Sequence, residues 1–199
     1  MIELKKAVLP ETVDVSGKLY RIHTSFKYWL RFLELVEKND KNPYVFDFLY
    51  VDNAPADRIE GFTALLGFST PPPSLLPRLT ASDTSDKVVD YQIDAEYIYA
   101  AFYEQYGIDL IEADMHWYKF QALFRGLHDT KLNEIIGFRL FTPPNGKKSE
   151  YDREMEKLKR AWALPEKDDG KEDAALMRFE ALLYGEAAAQ KNYKERENG

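Results

Sequence analysis

The 199-residue sequence contains no cysteine, which excludes thiol catalysis, disulfide bonds and thiolate metal sites. It also lacks a glycine-rich phosphate-binding loop of either common type. No apolar run approaches the ~20 residues that a membrane-spanning helix needs. The first residues, MIELKKAVLPE, have no apolar stretch typical of a signal peptide. We therefore expect a cytoplasmic protein with no membrane partner.

Acidic residues outnumber basic ones. The chain has 27 Lys and Arg against 34 Asp and Glu, giving a formal net charge of −7. Binding to a phosphate backbone depends on an excess of Lys and Arg, so we expect no nucleic-acid partner.

Aromatic side chains are abundant, with 12 Phe, 13 Tyr and 3 Trp. Such rings provide much of the apolar surface that a core buries, and tyrosine is also enriched at protein interfaces. Chain length and composition are typical of a globular protein that buries a real core. The aromatic content therefore suits either a core or an interface.

Residues 1–68 are predicted to form an N-terminal lobe. Alternating apolar residues on both sides of Ser16-Gly17 indicate a β-hairpin over 12–23. Thr24 or Ser25 then caps a helix with the apolar stripe Phe26, Trp29, Leu30, Leu33 and Val36.

Two shorter helical segments are predicted to follow, near 44–50 and over 55–66. The second opens at Pro55 and stops at Gly67. Its predicted inner face consists of Ile59, Phe62 and Leu65 or Leu66.

Residues 69–87 are rich in Pro, Ser and Thr and are predicted to form a linker. A helical core is expected over 88–142. Its first helix is capped by Asp94 and stops at Gly107, and its second opens at Asp114. The third is predicted to begin at Asp129 or Thr130 and to end at Gly137.

Residues 147–199 are predicted to form a C-terminal helical hairpin or arm. Its first helix, within 148–164, has a narrow apolar seam formed by Tyr151, Met155, Leu158 and Trp162. A second helix is expected from about 171. The predicted fold class is therefore mainly α, a helical domain with a small N-terminal β-hairpin and this C-terminal hairpin or arm.

Two groups of residues bear on catalysis. Glu112 and His116 have an i, i+4 spacing near that of metal ligands, but no second pair completes a site. His128-Asp129 resembles an oriented base, but the sequence shows no nucleophile beside it. Helix capping and helix-end electrostatics explain these residues better. We expect no enzymatic activity, no catalytic residue, no metal and no cofactor.

Two aromatic or apolar groups are candidate partner-binding surfaces. Tyr97, Tyr99 and Tyr103 lie off the buried stripe of their helix, so they form either an exposed hot spot or a contact beneath the N-terminal lobe. The seam formed by Tyr151, Met155, Leu158 and Trp162 either closes on the predicted last helix or receives a partner helix.

The middle of the chain resembles the bacteriophage gene-product-fifteen family. The resemblance consists of D-x-E-Y-I-Y-A-A-F at Asp94–Phe102, Y-G-I-D-L at Tyr106–Leu110 and H-W-Y-K-F-x-A-L at His116–Leu123, followed by the turn at Gly126-Leu127. The family's genes lie between tail-tube and tape-measure genes of tailed phages and prophages. The resemblance therefore implies a tail-assembly role in the host cell cytoplasm, and it brings no catalytic residues.

The leading hypothesis is a chaperone for the phage tape-measure protein, whose long apolar helices need masking before the tube encloses them. Other partners of this kind are the tail-tube protein or a companion assembly chaperone. The main alternative is a structural tail component retained in the virion. A small-molecule or metal-dependent enzyme with a His116 or His128 site is the third hypothesis.

Overall fold

A computed structural model describes residues 8–38, 42–70, 87–144, 146 and 148–165. In chain order these residues form β1 (Thr12–Val15), β2 (Lys18–Arg21), α1 (Phe26–Glu37), a 3₁₀ helix (Pro43–Leu49), α2 (Arg58–Ser69), α3 (Ala95–Tyr106), α4 (Trp117–Gly126), α5 (Lys131–Leu140) and α6 (Glu150–Ala161). The described residues are mainly helical with a small two-stranded antiparallel sheet, and this confirms the predicted mainly α class and its N-terminal β-hairpin.

The predicted β-hairpin is confirmed. Its strands pair in register from Thr12 with Arg21 to Val15 with Lys18. Ser16 and Gly17 both have positive φ, at 53° and 79°, which a tight two-residue hairpin turn requires. The valines of β1 face inward and are buried, so the hairpin contributes one apolar face to the core.

Helix α2 begins and ends later than predicted. It starts at Arg58 because the Asp57 carboxylate accepts the backbone N–H groups of the first turn and caps the helix. It passes through Gly67 and includes Phe68, which is 7% exposed and stacks on Trp29 at 4.8 Å. Burial of Phe68 stabilises the extra turn, so the predicted stop at Gly67 is wrong.

The inner face of α2 also differs from the prediction. Gly61, Leu65, Phe68 and Ser69 are its buried positions, whereas Ile59 is 72% exposed. Ile59 precedes Gly61 by two residues, which rotates it by about 200° on a helix and places it on the opposite side. Phe62 lies between these faces, half-buried and in contact with the ring of Phe46.

Helix α3 has the predicted bounds, but the Asp94 side chain forms no capping hydrogen bond, so the predicted Asp94 cap is wrong. Gly107 ends it with a left-handed φ of 65°, and its backbone N–H donates to the carbonyl oxygen of Tyr103. Helix α4, however, begins at Trp117 rather than at Asp114. The backbone N–H groups of Phe26 and Trp117 donate to the carbonyl oxygens of Met115 and Thr24. These bonds form a β-bridge between Ser25 and His116, which keeps the backbone just before Trp117 out of the helix.

Helix α5 begins where predicted but ends later. Thr130 and Asn133 form a reciprocal capping box at its start. Gly137 lies on the exposed side, and the helix runs on to Leu140. The predicted end at Gly137 is therefore wrong, and the extra turn contains Arg139, which forms a buried ion pair with Asp94.

The predicted N-terminal lobe and helical core share one hydrophobic cluster. Phe26 of α1 stacks on Phe120 of α4, with 4.8 Å between the ring centroids. The ring centroids of Trp29 and Trp117 are 6.3 Å apart. Phe32, absent from the predicted stripe of α1, is fully buried against Phe46. The cluster comprises Val13, Val15, Ile22, Phe26, Trp29, Phe32, Phe46, Leu49, Tyr50, Leu65, Phe68, Ile98, Ala101, Phe102, Trp117, Phe120, Leu127 and Leu132.

The chain divides into two compact units, Met1–Trp162 and Ala163–Gly199. Helix α6 belongs to the first unit and packs against α5. Of the second unit the structure describes 163–165, so the helix predicted from about 171 lies outside the described residues. Most of the predicted linker, 71–86, lies outside them too. No helix among the described residues is both long and apolar enough to cross a membrane.

Candidate interaction surface

Tyr99 and Tyr103 form a stacked pair on the outside of α3. Their ring centroids are 6.2 Å apart and the rings are nearly parallel, at 13°. Tyr103 is 58% exposed, and Tyr99 is partly exposed. Of the two arrangements predicted for the α3 tyrosines, this pair has the exposed one, and partner binding by the pair stays a prediction.

The loop after α3 fixes the ring of Tyr99. The Tyr99 hydroxyl donates to Oδ2 of Asp109 at 3.3 Å. The other carboxylate oxygen of Asp109 accepts the backbone N–H of Ile111 at 2.8 Å. Partial burial, together with the negative charge of Asp109, raises the pKa of Tyr99 above its usual 10. The tyrosine therefore stays a neutral donor at physiological pH, and its ring is held in place.

Apolar and acidic side chains continue this surface. Ile111 is 74% exposed, and the neighbouring Glu112 is exposed as well. Glu96 lies three residues before Tyr99 on α3, which puts it on the same side of the helix. We call this set the tyrosine face. It comprises Glu96, Tyr99, Tyr103, Asp109, Ile111 and Glu112.

Tyr97 lies elsewhere and does not join this pair. Its ring meets that of Trp162 edge-on at 5.7 Å, and both side chains are half-buried. The carbonyl oxygen of Trp162 accepts a hydrogen bond from Nε of Arg139 at 2.7 Å. These two predicted partner-binding residues thus contact each other, where the end of α6 meets α3.

The remaining predicted partner-binding residues lie on α6. Tyr151 is 67% exposed and contacts Phe141 edge-on at 6.4 Å. Met155 and Leu158 are half-buried in a helix that packs against α5. Exposure to solvent therefore differs along the predicted seam: Tyr151 is largely exposed, and the other three residues are half-buried.

A shallow cleft of about 840 Å³ lies beside His116, and the sequence patterns did not predict it. Its charged and ring-bearing lining residues are Glu11, His23, Lys27, Tyr28, Asp114, His116 and Lys119. They come from segments about ninety positions apart, so no local spacing links them. Among the described residues, no group of three His, Asp or Glu side chains is arranged to hold a metal ion.

The imidazole of His116 has a structural role at this cleft. Its Nδ1 accepts the backbone N–H of Tyr118 at 3.0 Å, and this caps α4. Its Nε2 lies 3.0 Å from the carbonyl oxygen of Pro10, which only accepts, so Nε2 carries the proton. Burial lowers the pKa of His116 below 6.5, in agreement with this neutral form. Asp114, the predicted cap, is exposed.

His128 also sits in a structural setting. Its backbone N–H donates to Oε1 of Gln105 at 3.1 Å, and its ring Nδ1 lies 3.1 Å from Nε2 of Gln105. The adjacent Asp129 is exposed and adopts a left-handed φ of 54°. These contacts join the turn between α4 and α5 to the end of α3.

The described residues define a mainly helical fold with an aromatic-rich core and an exposed aromatic, acidic face. The model of the family described as Bacteriophage Gp15 protein matches residues 6–164, well over half of the chain. The chain belongs to this family and is a phage protein. Comparison with curated proteins and with solved structures gives no match.

Proposed function

We propose that this phage protein is a tail-assembly chaperone that binds the tape-measure protein in the host cell cytoplasm. The tyrosine face is the observation that carries the proposal. Tyr103 and Ile111 expose apolar surface on a folded scaffold, and Asp109 holds the neighbouring Tyr99 ring in position. Exposed aromatic side chains with little freedom to lose are typical of protein-binding hot spots.

Family membership and charge also support the proposal. A tape-measure protein is a long helical chain whose apolar stripes aggregate unless they are covered. A net charge of −7 keeps a chaperone and its complexes soluble. Many copies binding along one chain give a stable complex even when each contact is weak.

The proposal includes no catalysis and no cofactor. The hydrogen bonds of His116, which lines the cleft, support the absence of catalysis. Both of its ring nitrogens take part in hydrogen bonds to the backbone, which is the arrangement of a helix cap. A catalytic base needs a lone pair directed at substrate.

Co-expression with the tape-measure protein of the same phage tests the proposal. We expect the tape-measure protein to become soluble and to co-purify with this chain. Separate co-expression with the tail-tube protein and with a neighbouring assembly protein identifies whether those are partners too. If the tape-measure protein neither co-purifies nor gains solubility, the proposal is wrong.

The same experiment needs a second arm, because a structural tail component would also bind tail proteins. We expect the chain to be absent from purified virions when these are analysed by mass spectrometry. Its presence there in stoichiometric amounts would favour a structural component and contradict the chaperone proposal.

A further inference from the structure

We propose that the tyrosine face binds a basic amphipathic helix of the partner protein, with Lys or Arg side chains lying over the tyrosine rings. The proposal deepens the function proposed above, on which it rests for the partner's identity. The chemistry of the bound segment follows from this surface alone.

The spacing of the tyrosines favours a helical occupant. Tyr99 and Tyr103 are one helical turn apart, and their ring centroids are separated by 6.2 Å. Side chains at i and i+4 of a facing helix are separated by about 5–6 Å. Two consecutive side chains on one side of a partner helix therefore match the two rings.

The charges of the face favour a basic occupant. Glu96, Asp109 and Glu112 are the carboxylates beside the tyrosine pair, and the Asp109 and Glu112 charges both raise the pKa of Tyr99. Lys27 reaches this loop, where its ammonium group donates to the carbonyl oxygen of Ile111. The three carboxylates outnumber this cation among the residues described at the face, so an acidic segment is repelled and a basic one attracted.

The rings add a second attraction for cations. A Lys or Arg side chain placed over a tyrosine ring within about 6 Å gains a cation–π interaction. The chain already uses this arrangement elsewhere, since Arg58 lies over the ring of Tyr44 at 5.3 Å. Ile111, 74% exposed, offers an apolar contact for the aliphatic positions of the same helix.

Tyr99 loses little side-chain freedom when this surface binds a partner. The hydrogen bond to Asp109 and the stacking on Tyr103 already fix the ring of Tyr99. Binding to a fixed aromatic surface avoids most of the entropy loss of ordering side chains.

The test uses the full chain and two synthetic helical peptides as probes. Both carry the same apolar stripe, and one has Lys and Arg where the other has Glu. We expect the basic peptide to bind at least about tenfold more tightly, a difference of ~1.4 kcal/mol, in fluorescence anisotropy. Its affinity should also fall as salt is raised. Equal binding of the two peptides overturns the proposal.

Variants then locate the binding surface. We expect Tyr103→Ser to lower the affinity for the basic peptide about tenfold, and we expect the same of the double variant Glu96→Gln with Glu112→Gln. Tyr44→Ser and the pair Glu150→Gln with Glu154→Gln are the matched controls, because these residues are exposed and belong to the 3₁₀ helix and α6, not to the tyrosine face. Circular dichroism checks that every variant is folded. If face variants and controls bind alike, the proposal is wrong.

Co-purification with the tape-measure protein separates this proposal from the proposed function. If wild-type protein captures the tape-measure protein and Tyr103→Ser captures it equally well, the tyrosine face is the wrong surface and the chaperone function stands. If wild-type protein captures no tape-measure protein yet binds the basic peptide through the tyrosine face, the chosen partner is wrong and the surface assignment stands.

Discussion

Asp94 and Arg139 form a buried, two-pronged ion pair between the start of α3 and the end of α5. Nη1 and Nη2 of the guanidinium lie 2.7 and 2.8 Å from the two carboxylate oxygens. The side chains of Asp94 and Arg139 are 1% and 7% exposed. Arg139 also donates to the carbonyl oxygens of Val88 and Trp162. One side chain thus joins the segment before α3, the start of α3 and the end of α6.

Removal of the guanidinium should destabilise the protein strongly. Arg139→Met leaves the Asp94 carboxylate buried without its cation, so we expect the free energy of unfolding to fall by about 3–5 kcal/mol. Urea unfolding followed by circular dichroism measures this loss.

Two comparisons show whether the buried charge is the cause. Asp94→Asn combined with Arg139→Met should lose less stability than the two single changes added together. Lys157→Ala removes an exposed ion pair with Glu154 and should change stability by under about 1 kcal/mol. A loss for Arg139→Met as small as that for Lys157→Ala contradicts this account.

Local sequence patterns predict the helices but not this ion pair. Asp94 stands at the predicted start of α3, yet its carboxylate pairs with Arg139, 45 positions away in the chain. Periodicity reports which residues share a helix face and carries no information on which distant residues meet. The sequence predicts that α5 ends at Gly137, so Arg139 lies outside every predicted helix.

Local spacing predicts part of the candidate interaction surface, and long-range packing determines the rest. The i, i+4 spacing of Tyr99 and Tyr103 is local, and it predicted that their side chains are neighbours. The contact of Tyr97 with Trp162 is long-range, and it depends on how α6 packs. The cleft beside His116 depends on the β-bridge that joins Ser25 to His116, which no local pattern indicates.

Gly61 and Gly67 lie in the same helix, but substitution by alanine should have opposite effects. A Cβ at Gly61 would lie 2.6 Å from Cγ of Pro55 and 2.9 Å from the Tyr50 hydroxyl, whereas nothing lies within 4 Å of one at Gly67. Gly67→Ala should stabilise the protein by roughly 0.5–1 kcal/mol, because alanine favours helix. Gly61→Ala should destabilise it by roughly 1–3 kcal/mol through overpacking. Thermal unfolding of both variants measures the difference, and stabilisation by Gly61→Ala would show that the Pro55 contact is not tight.

The titration of His116 should make stability depend on pH near neutrality. Its folded-state pKa lies below its ordinary value of 6.5, so the unfolded chain binds the proton more tightly. The stabilisation is therefore complete above about pH 6.5 and is lost as the pH falls through and below that value. Protonation of Nδ1 also removes the acceptor that caps α4.

A substitution that keeps the cap isolates this effect. Asn at position 116 retains a side-chain acceptor suited to a helix start but does not titrate. We expect His116→Asn to flatten the fall in the free energy of unfolding between about pH 7 and 5. Carboxylates whose pKa values lie below their usual range, such as Asp90 and Asp152, lose their contributions at lower pH than this window. An unchanged pH slope in His116→Asn would assign the dependence to another group.

The contact between Tyr97 and Trp162 should matter for stability more than the exposed tyrosines do. Trp162 is half-buried against the Tyr97 ring, and the contact joins the end of α6 to α3. Trp162→Ala removes the ring and should lower the free energy of unfolding by roughly 1–3 kcal/mol. Tyr151→Ser and Tyr103→Ser remove rings that are 67% and 58% exposed, so each should cost under about 1 kcal/mol. Urea unfolding of the three variants side by side tests this order, and a larger loss for Tyr103→Ser than for Trp162→Ala would show that the tyrosine face is held together by packing, which disfavours its use as a docking surface.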